Sequence, residues 1–240
     1  MYGNSRVPAS TQTDIHPHLS MLVDRHAGSP FLKPYADYNR AAFTASLERY
    51  RRTAAGRPLI LDSCCGVGES SRILARAFPD HYVIGVDQSA VRLARGQRCW
   101  QEGFGWPANL DLVRADVVDY WRLLHAADIR LNRHYLLYPN PWPKITQLRR
   151  RWHGHPVFPV LLGLGGRLEC RSNWPVYLAE FCLAVQQMTQ RAAVYEPYLP
   201  EPPMTPFERK YWASGHRLYR TRIDLVGDRR FQTAGQDRIT

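Results

Sequence analysis

Short apolar stretches alternate with helical stretches over most of this 240-residue chain, and this alternation constrains the fold more than any other feature. The first predicted strand, Leu59–Leu61, leads into a glycine turn and a predicted helix over residues 69–78. Further strands are predicted at 82–86, 110–113, 135–138, 166–170 and 218–226, and further helices at 41–52, 89–100, 117–127 and 175–190. Strands that are separated by helices pair in parallel and are covered on both faces. The pattern therefore predicts one α/β domain with a mostly parallel sheet.

The two ends of the chain lack this pattern. Residues 1–35 contain four prolines and little periodicity, which predicts a flexible arm or a partly ordered cover. The domain is expected to span residues 36–228, and residues 229–240 are predicted to form a flexible tail. The first 20 residues lack the apolar stretch of a secretion signal, and no run approaches the roughly 20 apolar residues of a membrane span. We therefore expect a cytoplasmic protein without a membrane partner. The oligomeric state stays open, with a monomer slightly favoured over a dimer.

The chain is strongly basic, with 32 Lys and Arg residues against 21 acids and a net charge of +11. A basic protein is attracted to polyanions, because each phosphate that it neutralises releases counterions. Arg149, Arg150 and Arg151 are consecutive and follow Lys144, and aromatic rings alternate with cations over residues 209–222. Rings that can stack on bases, placed among cations that bind phosphates, indicate an RNA partner. The five cysteines form no C-x-x-C pair, so no metal site is expected.

Acidic residues follow the first three predicted strands. Ligands of parallel α/β sheets bind beyond the carboxyl ends of the strands, where Asp62, Asp87 and Asp116 lie. Gly66 and Gly68 let the backbone turn tightly and approach a ligand closely. Asp62 suits the charged amino-acid end of a ligand, Asp87 suits two ribose hydroxyls, and Asp116 suits the exocyclic amine of an adenine. This set of residues predicts a nucleoside cofactor with an amino-acid end, which is S-adenosylmethionine (SAM).

The glycine spacing excludes two other nucleotide-binding loops. A dinucleotide dehydrogenase would have a third glycine at position 71, where this chain has Ser71, and no G-x-x-x-x-G-K-[ST] loop is present. Each acid alone could be an ordinary cap at a strand end, but all three in register favour SAM over NAD. The predicted fold is a Rossmann-like class I methyltransferase, an α/β fold with a mostly parallel seven-stranded sheet and helices on both faces. An enzyme with this fold would release S-adenosylhomocysteine as the product of its methyl donor.

Three segments resemble a known family. Residues 139–144, which read Pro-Asn-Pro-Trp-Pro-Lys, and the arginine run after them resemble the P-D-P-W-x-K segment and basic stretch of bacterial tRNA (guanine-N7)-methyltransferases. Residues 172–174 resemble the T-D-W segment of that family, and residues 205–209 before Gly215-His216 resemble its T-x-F-E-x-R/K…G-H segment. The order and approximate spacing of these motifs hold from Leu59 to Leu225.

The resemblance implies that the acceptor is N7 of a guanine in tRNA, which in the family is guanine 46 of the variable loop. With the glycines of the turn included, the predicted cofactor-binding residues are Asp62, Gly66, Gly68, Asp87, Asp116 and Asn140. With the arginine run included, the predicted substrate-binding residues are Lys144, Arg149, Arg150, Arg151, Asn173, Thr205 and Glu208.

The chemistry of guanine N7 agrees with such a site. N7 already has an exposed lone pair, so methyl transfer removes no proton before the bond forms. The enzyme must supply proximity, in-line orientation and stabilisation of the charge that develops on the base. We expect Asn140 and Glu208 to be the catalytic residues, accepting hydrogen bonds from the guanine N1–H or 2-amino group. Lys144 and the arginine run would hold the RNA backbone.

Several positions depart from the pattern of the family. Cys64 stands where the family has the first glycine of its motif, and Asp62 and Asp87 stand where it generally has glutamate. Asn140 and Asn173 replace two aspartates, the first of which is usually called catalytic. An amide keeps an acceptor oxygen but lacks the negative charge, and charge-assisted hydrogen bonds are roughly twice as strong as neutral ones.

Three interpretations of these departures remain open. The chain could be a divergent active enzyme, because transfer to N7 needs no general base. It could be a paralogue with another target, since Asn140-Pro141-Trp142 shares part of the N-P-P-[YFW] segment of adenine-N6 methyltransferases. It could also be a catalytically weakened RNA-binding protein, although such a protein would not need the three acids of the cofactor site.

Overall fold

The computed structural model describes residues 4–101 and 105–227, with the backbone alone for residues 99–101. The strands are β1 Leu59–Ser63, β2 Tyr82–Asp87, β3 Leu110–Arg114, β4 Arg133–Leu137, β5 Arg167–Ser172, β6 Tyr195–Tyr198 and β7 Leu218–Asp224. The helices are α1 Leu19–Ala27, α2 Asp37–Ala54, α3 Glu69–Ala77, α4 Ala90–Gln101, α5 Val117–Ala126, α6 Phe158–Gly163, α7 Pro175–Thr189 and α8 Pro206–Ala213, and two 3-10 turns cover Ile145–Arg150 and Trp152–Gly154.

The strands form one seven-stranded sheet in the order β3-β2-β1-β4-β5-β7-β6. The first five strands pair in parallel, and β7 runs antiparallel to both of its neighbours, β5 and β6. The chain builds outwards from β1 to β3 and then returns to build from β4 on the other side, so a crevice opens between β1 and β4 at the carboxyl ends of the strands. The predicted fold class is confirmed.

The core lies on both faces of the sheet because successive residues of a strand point to opposite sides. Leu59 and Leu61 of β1 belong to the larger apolar cluster, which the buried faces of α5, α6 and α7 complete. Ile60, between them, packs on the other side with Leu74 and Ala75 of α3. An unbroken apolar strand is what such a doubly covered sheet requires.

The N-terminal region contains a helix that the sequence analysis did not predict. Leu19, Leu22 and Val23 of α1 are almost fully buried and join the larger cluster beside α7. Their spacing of three and four residues gives α1 one apolar face, which is short and lies among polar residues and prolines. The helix α1, Leu19–Ala27, which lies within the predicted arm, is therefore packed as part of the domain. The predicted tail, 229–240, lies outside the described residues.

The strand β6 also escaped prediction, although seven strands were expected. Its residues Tyr195–Tyr198 read Tyr-Glu-Pro-Tyr, and all but the last are exposed. It is the edge strand of the sheet, where a proline is tolerated because its missing N–H faces no neighbour. A four-residue strand with a proline has no alternating pattern for the sequence to show. Within the described ranges, no helix combines enough length and apolar character to cross a membrane.

Candidate active site

Asp62 is a carboxylate buried at the carboxyl end of β1. One of its oxygens, Oδ2, accepts hydrogen bonds from the hydroxyls of Ser70 and Ser71, both at 2.6 Å. The other oxygen, Oδ1, is buried without a hydrogen-bond partner. Burial raises the pKa of Asp62 to about 6, although the two serine hydroxyls act against that change. A buried acceptor without a donor is suited to a ligand that brings an ammonium group.

The turn between β1 and α3 has left-handed backbone at three positions. Gly66 has a φ of 62° and Gly68, the N-cap of α3, has a φ of 70°. A Cβ atom at Gly66 would meet nothing within 4 Å, so the turn borders open space. Cys64 is also left-handed, with a φ of 60°, which is uncommon for a residue with a side chain. The turn therefore leaves room for a ligand, and Cys64 adopts a conformation that glycine would adopt without strain.

Asp87, at the end of β2, holds the turn in place. Its Oδ2 accepts from the Gly66 N–H at 2.9 Å and its Oδ1 accepts from the Ser89 N–H at 2.8 Å. A carboxylate oxygen can accept more than one hydrogen bond, so both oxygens can still accept a hydroxyl. Because β2 lies beside β1, Asp87 and Asp62 lie at the same edge of the sheet.

Asp116 lies one strand farther out and has a structural role as well. Its Oδ1 accepts from the Val118 N–H at 2.9 Å, which makes Asp116 the N-cap of α5. The backbone N–H of Asp116 donates to the side chain of Asn39 at 2.9 Å. The alternative interpretation of these acids as strand-end caps is thus correct for one oxygen of Asp116.

Two glycines that were not among the predicted site residues allow the elements around the turn to pack closely. A Cβ atom at Gly96 of α4 would lie 1.9 Å from the carbonyl oxygen of Val67. A Cβ atom at Gly85 of β2 would lie 2.3 Å from the hydroxyl of Ser71, which binds Asp62. A lone glycine inside a helical pattern is the signal that could have identified Gly96.

The loop after β4 presents Asn140 at the surface. Asn140 is exposed, and its side-chain oxygen accepts from the Trp142 N–H at 3.3 Å, as in an Asx turn. Tyr138 and Trp142 both have left-handed backbone, with φ of 54° and 46°. Trp142 is half-buried, and the guanidinium of Arg150 lies 4.8 Å from the centre of its ring. Since β4 is the neighbour of β1, this loop begins at the same edge of the sheet as Asp62.

The predicted RNA-binding cations divide into two groups. Lys144, Arg149 and Arg150 are exposed, as contact with a nucleic acid requires. Arg151, which was predicted with them, is fully buried and pairs with Glu180 at 2.5 Å. The prediction of a substrate contact is therefore corrected for Arg151, because its guanidinium has no exposed surface.

Glu208, predicted to be catalytic, is also fully buried. Its Oε1 accepts from Arg171 at 2.8 Å, from the Tyr138 hydroxyl at 3.0 Å and from the Tyr198 hydroxyl. Its Oε2 accepts from the Met204 N–H at 2.5 Å. Both oxygens are occupied away from the surface, so this structure does not support a contact between Glu208 and a base.

Thr205 and Glu208 together build the start of α8. The hydroxyl of Thr205, the N-cap, accepts from the Glu208 N–H at 3.0 Å, while the Glu208 side chain binds the residue before the cap. This is close to a capping box, which satisfies backbone donors at a helix start. The T-x-F-E segment is thus a device that fixes α8, and an ion pair between Arg209 and Glu69 attaches α8 to α3.

Asn173 lies beside α8 and is mostly buried. Its amide donates to the Nδ1 atom of His216 at 3.0 Å. The ring of His216 stacks on Tyr211 with centroids 5.2 Å apart, and Tyr211 lies 5.5 Å from Tyr138. Asn173 therefore supports the aromatic residues next to the β4 loop. Among the described residues, no three His, Cys, Asp or Glu side chains come together as metal ligands would.

Comparison with known proteins agrees with this geometry. A family model described as "Putative methyltransferase" matches residues 56–221. The tRNA (guanine-N(7)-)-methyltransferase of Halorhodospira halophila is 30% identical over 186 residues, which cover 71% of this chain and 78% of that protein. The chain belongs to the tRNA (guanine-N7-)-methyltransferase family. The Acinetobacter baylyi protein of the same name is 28% identical over 174 residues, 67% of either chain.

Solved structures of other RNA methyltransferases share the fold. The 16S rRNA methyltransferase KamB aligns with a TM-score of 0.56 at 14% identity, covering 81% of this chain and 96% of that chain. A 16S rRNA (adenine(1408)-N(1))-methyltransferase from Catenulisporales acidiphilia aligns with a TM-score of 0.55 at 17% identity, covering 76% and 92%. At this identity the likeness concerns the fold alone, and such a scaffold serves many reactions.

The residues around the turn, Asp62, Gly66, Gly68, Asp87 and Asp116, form what we call the cofactor cradle. The close approach of Gly96 to Val67 leads to a test of this cradle. We predict that Gly96→Ala weakens SAM binding about tenfold, because the added methyl group displaces the turn and overpacking costs about 1–3 kcal/mol. The dissociation constant from calorimetry measures the effect. Gln97→Ala, at the exposed next position of α4, should leave the affinity unchanged. Equal affinities for the Gly96→Ala variant and the wild type would contradict this account of the turn.

Proposed function

We propose that this protein transfers a methyl group from SAM to N7 of a guanine in tRNA, and that the acceptor is guanine 46 of the variable loop. The observation that carries the proposal is the unpartnered Oδ1 of Asp62 beside the open turn at Gly66. The family of the chain supplies the substrate class, since the Halorhodospira halophila relative is named a tRNA (guanine-N(7)-)-methyltransferase. We further propose that the protein acts as a monomer in the cytoplasm.

The residues of the cradle fit SAM. Asp62 would accept from the ammonium group, Asp87 from the ribose hydroxyls and Asp116 from the adenine amine. The left-handed backbone at Gly66 and Gly68 turns the chain, and the open space at Gly66 leaves room for the ligand. When bound, SAM supplies an electrophilic methyl group and leaves as S-adenosylhomocysteine. The chain itself must bind it, orient it and keep water away.

The exposed cations beside Trp142 would hold the tRNA. Lys144 ends the loop that follows β4, and Arg149 and Arg150 lie in the 3-10 turn after it, so phosphates bound there would bring a base to the carboxyl edge of the sheet. Contacts with phosphates set the register of an RNA, and contacts with the base select the acceptor. A net charge of +11 adds a long-range attraction that weakens with salt.

Asn140 is the residue that we place next to the acceptor base. Its amide is exposed at the β4 edge, and N7 has no proton to lose, so orientation rather than proton transfer is the task. The amide oxygen can accept a hydrogen bond from the guanine but adds no negative charge. Glu208 contributes indirectly, by holding the Tyr138 hydroxyl under the same loop.

The pKa of Asp62 leads to a prediction of pH dependence. Burial raises that pKa to about 6, so the carboxyl group gains a proton as the pH falls through 6 and then no longer attracts the ammonium group. We expect SAM affinity to fall about tenfold between pH 8 and pH 5, as one group with this pKa requires. The stability of the folded protein changes in the opposite direction. Because burial raises the pKa of Asp62 in the folded state, the contribution of Asp62 to the free energy of unfolding increases as the pH falls from 6 towards 4.

Calorimetry with Asp62→Asn checks the assignment. The variant should bind SAM more weakly than the wild type at pH 8 and should lose the decrease that the wild type shows between pH 8 and pH 5. If both proteins show the same pH profile, then another group controls binding and Asp62 does not hold the ammonium group.

The tRNA assay tests the proposed function itself. Unmodified tRNA is incubated with methyl-labelled SAM and digested, and the labelled nucleoside is identified. We expect 7-methylguanosine, absent when guanine 46 of the tRNA is replaced by adenine. Labelled N6-methyladenosine without 7-methylguanosine would refute the proposal, and no detectable binding at millimolar SAM would favour a non-catalytic RNA-binding protein.

The substitution Asn140→Asp tests the departure from the family. We expect kcat with tRNA to stay the same or to rise up to several-fold, because a carboxylate keeps the acceptor and adds a charge that stabilises a cationic guanine. Asn132→Asp, at the opposite end of the same strand, controls for the added charge and should change nothing. A complete loss of activity in Asn140→Asp would mean that the amide N–H group has a role of its own.

A further inference from the structure

The N-terminal segment, residues 5–16, lies along the elements that carry the substrate motifs. The Ser5 N–H donates to the Ser214 hydroxyl at 3.1 Å, and the Ser5 carbonyl accepts from Nε2 of His216 at 3.0 Å. The Ser10 hydroxyl donates to the carbonyl of Pro143 at 2.6 Å. The segment thus runs from the end of α8 to the substrate loop, residues 139–144.

Gln12, in the middle of this segment, is buried between two charged groups. Its amide nitrogen donates to Oε1 of Glu180 on α7 at 2.6 Å. Its amide oxygen accepts from the guanidinium of Arg151 at 2.9 Å. Both ends of the amide are therefore bound, one to the anion and one to the cation of a fully buried ion pair.

Arg151 connects Gln12 to the substrate loop, because its guanidinium donates hydrogen bonds to both. Its Nε and Nη2 atoms donate to the carbonyl of Trp142 at 3.2 and 3.1 Å, and Nη2 also lies 3.4 Å from the carbonyl of Lys144. The guanidinium lies 4.9 Å from the centre of the Trp174 ring, which fixes its plane. Donors on one rigid plane therefore set the positions of two backbone carbonyls in the loop.

Glu180 shows how much of this arrangement depends on the segment. Its carboxylate receives four hydrogen bonds, from Gln12, the His16 N–H, Arg151 and His153. His153, Arg151 and the hydrogen bonds that they donate hold the pKa of Glu180 at about 2, against the effect of burial. Two of the four donors belong to the N-terminal segment. A buried ion pair that loses such partners is destabilised, because its charges keep their desolvation cost.

We propose that Gln12 is a positioning residue for methyl transfer, acting through Arg151 to hold the backbone of Trp142 and Lys144. The inference rests on the proposed function, because it concerns the loop that we assign to the acceptor base and the tRNA backbone. The N-terminal segment is then a wall of the substrate site, and the loop has its working geometry only while the segment is docked.

The chain offers a matched control in Gln187. Its amide nitrogen donates to the carbonyl of Ser20 at 2.9 Å and to Asp24 at 2.5 Å, so it also attaches the N-terminal region to α7. It has no contact with Arg151 or with the substrate loop among the hydrogen bonds of the described residues. If activity depended only on general docking of the N-terminal region, substitution of either glutamine would lower it. If activity depends on the position of the substrate loop, only substitution of Gln12 lowers it.

The experiment compares Gln12→Ala, Gln12→Met and Gln187→Ala in the full chain. For both Gln12 variants we expect kcat/KM for tRNA to fall about tenfold, because small displacements of binding groups have large effects on rate. The dissociation constant of SAM should stay within about twofold, since the cradle is not touched. Gln187→Ala should keep the kinetic constants of the wild type. If Gln12→Met restores full activity, then side-chain volume matters and the hydrogen bonds do not, which overturns the proposal.

Hydrogen exchange gives a readout that does not depend on activity. The backbone amides of residues 142–150 should exchange faster in Gln12→Ala than in the wild type or in Gln187→Ala. Unchanged exchange there, or an equal increase in Gln187→Ala, overturns the positioning role. A wild-type protein that methylates no tRNA would refute the proposed function, and the exchange comparison would still decide whether Gln12 positions the loop.

Discussion

A carboxylate buried at the carboxyl end of β1 is the interaction on which the rest of the site depends. Removing a charge from water is costly unless hydrogen bonds replace those that it loses. Ser70 and Ser71, in the first turn of α3, supply two donors to one oxygen of Asp62 and none to the other. The helix start, the strand end and the glycine turn are thus held around a charge that is only half satisfied. A cationic ligand can supply the hydrogen bond that Oδ1 of Asp62 lacks.

Two further buried acids organise the substrate side, and neither is available for chemistry. Glu208 joins α8 to β5 and the β4 loop, and Glu180 joins α7 to Arg151 and the N-terminal segment. Each carboxylate accepts hydrogen bonds from elements that are far apart in the sequence. Each therefore fixes the relative positions of several loops. Motif residues that suggest catalysis can thus have the role of placing other residues, as the capping arrangement of Thr205 with Glu208 shows.

The fold and the substrate class rest on different parts of the molecule. The fold is shared with 16S rRNA methyltransferases at 14–17% identity, and a scaffold of this kind serves many reactions. Resemblance to the tRNA methyltransferases is stronger in sequence, at 30% identity for one relative. The motifs that resemble the family lie after β4, after β5 and at α8, near the carboxyl edge of the sheet.

The sequence by itself determined the α/β class, the acids at three strand ends and the family, because these depend on periodicity and on local motifs. It did not determine α1, β6 or the burial of Arg151 and Glu208. An arginine in a basic run is exposed or buried according to its partners, and those of Arg151 are Gln12, 139 residues earlier, and Glu180, 29 residues later. Only the tertiary structure brings these side chains together, so only it could show that the third arginine of the run holds the substrate loop while the first two face the solvent.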